Sequence, residues 1–232
     1  MLRIHRAVSA CGAILLWCCG ACADDFAVRG APTWPDTFVA RVEVIALLQT
    51  LNVNLLSHDS ATLTLEHWCD IHRLASPARI VAVRDPARVK PVSPEQRREL
   101  GVSPAEPVRY RRVRLLCGTV ELSEADNWYV PGRLTAEMNN LLDRTDIPFG
   151  KVVQALHFRR RTLSSTLLWA PLPEGWEMNP NPGARNEASG VLTIPSELLQ
   201  HRALLILQDG TPFSEVVETY TAGVLAFQAP VP

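Results

Sequence analysis

Arg109-Tyr110-Arg111-Arg112-Val113-Arg114-Leu115-Leu116-Cys117-Gly118 is the stretch that decides the fold. It reads as a strand running into a turn, with charged and apolar residues interleaved. In an extended chain the side chains alternate between faces. Arg109, Arg111, Val113, Leu115 and Cys117 share one face; Tyr110, Arg112, Arg114 and Leu116 share the other. Both faces turn from basic to apolar along the strand. An arginine here therefore stands where open sheet meets closed core. Two readings follow: a planar guanidinium fork poised for a small carboxylate, or a solvated sheet edge rich in arginine.

Outward from this strand the pattern is α+β. Val42–Leu56 and Ser60–Leu74 carry apolar residues at helical spacing, the second capped by Ser60 or Thr62. Ala78–Val83 reads as a strand. Ser93-Pro94-Glu95-Gln96 is a helix start, and that helix stops at Gly101. Val120–Val130 returns as a strand closed by Pro131; Thr135–Leu142 is a short helix. Pro148-Phe149-Gly150 opens another helix, and Phe158–Trp169 is a strand. Pro171–Gly190 is a long loop without period, and Ser196–Leu199 predicts one helical turn. Asp209-Gly210 joins the last two strands as a hairpin. Helices first, then mostly hairpin-linked strands, predict an antiparallel β-sheet covered by helices.

The N-terminus pairs Arg3 and Arg6 with a short apolar run and the small-residue site Ala21-Cys22-Ala23, followed by Asp24-Asp25. This is the pattern of a secretory signal over residues 1–23. A flexible leader over 24–40 and one domain over 41–228 follow. The expectation is an exported, periplasmic protein. The alternatives are a lipid anchor on Cys22, or a cytoplasmic chain if the segment is no signal. No stable membrane span is expected after its removal. Losing residues 1–23 removes two arginines and no acid, so the net charge moves from −1 to −3. A mildly acidic chain without a basic run is no nucleic-acid binder. Cys69 and Cys117 are the cysteines outside the signal. They stand as a disulfide or as two small buried hydrophobes. No metal-ligand spacing is present, and no nucleophile elbow, phosphate loop or dinucleotide fingerprint occurs.

The acid that stands out is Glu218. In the final strand it shares a face with Val216 and Tyr220, while Glu215 shares the other with Val217 and Thr219. A carboxyl on the closed side serves proton transfer; one on the open side is an ordinary partner for a neighbouring arginine.

At these residues the chain resembles the chorismate lyase family and the related UTRA effector domains of bacterial transcription regulators. The resemblance rests on Leu55-Leu56-Ser57-His58-Asp59-Ser60-Ala61-Thr62, on Tyr110 to Pro131, on Pro148-Phe149-Gly150, and on Gly210-x-Pro212…Glu218. It implies a chorismate-lyase-like fold with an enclosed pocket for a small aromatic or cyclohexadiene carboxylate. It also implies that Arg112 clamps the ring carboxylate, that the backbone N–H of Phe149 assists, and that Glu218 meets the ring oxygen. One extra residue between Pro212 and Glu218 leaves Glu215 as a competitor. The implied reaction cleaves chorismate to 4-hydroxybenzoate, or an isomer, and pyruvate, without cofactor or metal. The implied alternative is a non-catalytic binding module for a small aromatic carboxylate.

Overall fold

The computed structural model describes residues 33–178 and 190–227. The proposed signal over 1–23, and the stretch 179–189 of the long loop, lie outside them. Among the described residues six strands pair antiparallel: β1 (Ile80–Arg84), β2 (Arg109–Cys117), β3 (Val120–Tyr129), β4 (Arg159–Leu167), β5 (Glu197–Ile206) and β6 (Pro212–Thr221). Their order across the sheet is β1-β2-β3-β6-β5-β4. The fold is α+β.

Two helices cover one face. Helix α1 (Phe38–Ser57) starts at Thr37, whose hydroxyl accepts from the Ala40 N–H at 3.1 Å. It sends Val44, Leu48, Leu51 and Leu55 into the core at three- and four-residue spacing. By length and composition α1 is apolar enough to cross a membrane; here that stripe packs on the sheet. Helix α2 (Ala61–Ile71) is capped by Ser60 and buries Leu65, Trp68 and Cys69 in the same cluster. Val113, Leu115, Ala125, Ala203, Val216 and Tyr220 meet them from the strands. Cys69 and Cys117 are joined as a disulfide, their Cα atoms 6.4 Å apart, so the covering layer is bonded to the sheet.

Helices α4 (Ala136–Arg144) and α5 (Phe149–Val152) close a second apolar cluster around Phe149, Phe158 and Phe213. Helix α3 (Pro94–Leu100) packs its Leu100 with Val130 and Leu204 in a third. Its start is a capping box, with Ser93 Oγ accepting from Gln96 N and Gln96 Oε1 accepting from Ser93 N. Gly101 ends it at φ +61°. Gly223 holds a closer approach: a Cβ there would lie 1.9 Å from the Glu121 carbonyl oxygen.

Two expectations change. Residues 196–199 do not form a helical turn; Glu197 opens β5, and a bulge between Glu197 and Leu199 fits the segment against β6. Four residues, two of them leucine, carry no period of their own, and pairing with β6, and at Leu199 also with β4, decides them. The leader expected to be loose as far as residue 40 is fixed in its described part. Trp34 is buried, donates its indole N–H to Leu225 O at 3.1 Å and lies edge-on to Phe227; Pro35 bridges Val191.

Candidate functional site

The alternation read in residues 109–118 is realised in β2. Arg111 pairs with Asn127 and Val113 with Ala125, and across the sheet Ala125 pairs with Glu218 and Glu218 with His201. Directly paired residues share a face, so Arg111 and Glu218 both lie under the helices. Between them and the α1–α2 turn is a narrow cavity of about 40 Å³. Arg111, Asn127, Phe149, Phe158, Arg160 and Glu218 contribute to its wall, and Asp59 to Thr62 close it. The start of α5 sits tight against this turn: a Cβ on Gly150 would lie 3.1 Å from Thr62 Oγ1 and 3.2 Å from Ser60 Oγ.

Two buried guanidinium groups enter this cavity. Arg160, whose side chain is only 3% exposed, donates from Nη2 to Glu218 Oε2 at 2.6 Å, and the Tyr220 hydroxyl donates to the same oxygen at 3.0 Å. The Arg160 backbone N–H donates to Asp59 Oδ1 at 2.8 Å, which ties β4 to the turn. Burial works against the charge of Arg160, but Glu218 and its neighbours outweigh it and raise its pKa. Burial, reinforced by Glu218, lifts the Tyr220 hydroxyl well above the ordinary phenol range. His201, fully buried beside them, is pushed down to about 4 by burial and by the charge of Arg160.

Arg111 makes no ion pair among the described residues, although Asp146 and Asp143 favour its charge from further away. Its Nη2 donates to Ile147 O at 3.2 Å. Its Nε is buried and meets no acceptor, and the Nε of Arg160 is in the same position. Burial and the neighbouring Arg84 bring Arg111 down to about 10, so it remains a cation at neutral pH. A buried charged donor without an acceptor is costly.

Of the three residues assigned by resemblance, Phe149 and Glu218 line the cavity and Arg112 does not. Arg112 pairs with Asp126 on the opposite face of the sheet. There its Nη1 donates to Asp126 Oδ1 at 3.0 Å, and Glu124, Lys90 and Tyr110 complete the cluster. The difference is one residue of register: adjacent strand residues face opposite ways, so Arg111 rather than Arg112 lines the cavity. Glu215, the competitor of Glu218, is also on that far face, where it accepts from Arg202 Nε at 2.8 Å and Gln96 Nε2 at 3.2 Å. Arg160 was missed. Its signal was the run Arg159-Arg160-Arg161 at the start of a strand, which does not say which arginine turns inward.

No protein-family model matches the chain. Among solved structures it is similar to PhnF from Mycobacterium smegmatis, at 11% identity and a TM-score of 0.44 over 75% of this chain and 68% of PhnF. It is also similar to the possible transcriptional regulator YydK from Bacillus subtilis, at 15% identity and a TM-score of 0.39 over 66% of this chain and 62% of YydK. The curated protein it matches is far nearer in sequence, 56% identical over 199 residues that make up 85% of this chain and 83% of the relative. The chain thus belongs to the family of the uncharacterized protein y4mC of Sinorhizobium fredii.

Proposed function

We propose that this protein is a binding module for a small organic carboxylate, with an aromatic or cyclohexadiene acid as the class that fits best. The observation that carries the reading is Arg111, a buried cation whose Nε lacks an acceptor in a cavity walled by Phe149 and Phe158. A carboxylate supplies the missing acceptor, and a flat ring suits the aromatic wall. The Arg160–Glu218 pair then serves as a polar floor for a ring hydroxyl or ether oxygen. The N-terminal pattern supports an exported location for the domain. Calorimetric titration with 4-hydroxybenzoate tests the binding reading. Saturable one-site binding that is lost in Arg111→Ala supports it; no heat at millimolar ligand overturns it.

Chorismate cleavage is the second reading, supported by the presence of Glu218 and Phe149 in the same cavity as Arg111. In that reaction the ring–oxygen bond breaks, the side chain leaves as pyruvate, and loss of a ring proton gives the aromatic 4-hydroxybenzoate. The protein would fix the carboxylate, exclude water and assist the departing oxygen. The position of Glu218 speaks against it as a ready acid, because Oε2 already accepts from both Arg160 and Tyr220. Incubation with chorismate separates the two readings. Pyruvate release that disappears in Glu218→Gln identifies a lyase; bound, unconsumed chorismate identifies a binder.

A further inference from the structure

A second, more open concavity of about 410 Å³ adjoins the first. The end of α1, the outer side of α2 and residues 154–158 enclose it; Leu63 and Phe158 are its apolar residues, set among Asn54, Gln154 and the imidazoles of His58, His67 and His157, whose carbon surface makes up much of the wall. It shares Asp59, Ser60 and Phe158 with the inner cavity. Phe158 is the partition: it is 7% exposed and its ring stands edge-on against Phe213 at 5.9 Å.

Next to this partition the backbone adopts an unusual conformation. His157, which helps to line the outer groove, has φ +48° and ψ +43°. A residue with a Cβ pays for the left-handed region, and such departures gather where a binding surface needs them. Leu63 stands on the opposite bank, 41% exposed although it is a leucine on the face of α2 that lines the groove.

The two spaces adjoin through shared wall residues and differ in chemistry: buried guanidinium and carboxylate groups line the inner one, and mainly carbon surface lines the outer one. We propose that the ligand is an amphiphile: an aryl carboxylate whose ring occupies the inner cavity and whose linear apolar substituent runs past Phe158 into the groove. This rests on the carboxylate-binding reading above. It goes further by fixing the class of ligand as a ring acid with a chain on the side away from the acid. The groove thereby has one occupant, chosen by its continuity with the charged chamber.

A homologous series of 4-alkoxybenzoates, from methoxy to hexyloxy, tests this against 4-hydroxybenzoate by calorimetry on the whole protein. Affinity should rise with each added methylene, by about 1.5- to 4-fold, the upper figure being that of complete burial. Leu63→Asp should flatten that rise and leave 4-hydroxybenzoate binding within twofold. Flat or falling affinity along the series, with 4-hydroxybenzoate still bound, overturns the amphiphile and leaves the carboxylate site standing. If no acid of the series binds, both readings fail together. Concentration-dependent dimerisation that Leu63→Asp abolishes in sedimentation also overturns it, because a second copy then fills the groove.

Discussion

Arg111 and Arg112 differ by one position and by an entire environment. The first has a buried Nε without an acceptor; the second is held among Asp126, Glu124 and the neighbours of Asp126. Arg111→Ala should therefore weaken 4-hydroxybenzoate binding by roughly 10- to 100-fold, the worth of charge-assisted hydrogen bonds. Arg112→Ala should leave affinity within twofold but lower stability by about 1–3 kcal/mol in urea unfolding, because Asp126 loses a partner. The alternation of residues 109–118 already placed Arg111 with Val113, Leu115 and Cys117, all of which are buried. The motif match pointed one residue further along. Where the two disagree, the pleat decides, since it follows from backbone geometry. Arg160 was beyond such reasoning, because its partner Glu218 lies 58 residues away.

Elements with their own local chemistry were legible from the sequence. Ser93-Pro94-Glu95-Gln96 and Gly101 bound α3 because cap, proline and left-handed glycine each act within a few residues. Asp209-Gly210 likewise sets the β5–β6 hairpin, with Gly210 at φ +90°. The strand at 197–199 was not legible, because neighbours distant in sequence impose it. Ser93→Ala should cost about 1 kcal/mol by removing one half of the capping box, read as a lower urea midpoint with unchanged slope. Gly223→Ala should cost about 1–3 kcal/mol, because the added carbon meets backbone rather than a movable side chain.

The assembled domain should be sensitive to acid. In the folded chain His201 titrates near 4, against an ordinary value of 6.5. Between those values the unfolded chain takes up a proton that the folded one refuses, so stability falls as pH drops from 6.5 towards 4. The loss is at most about 3 kcal/mol from this group. Melting temperatures from pH 7.5 to 4.5 should show the slope, and His201→Gln should flatten it. The Cys69–Cys117 bond spans 48 residues, and the chain-entropy account assigns such a loop about 4 kcal/mol. Dithiothreitol should lower the urea midpoint accordingly, and the double variant Cys69→Ala/Cys117→Ala should no longer respond to it. Lastly, Trp34 and Leu225 hydrogen-bond to each other, so the path from one to the other nearly closes on itself. A circularly permuted gene, with residues near 33 and 227 spliced through a short polar tether and new termini at Asp209–Gly210, should still produce the same six-stranded architecture. Chain order along the ribosome would then be separable from the final shape.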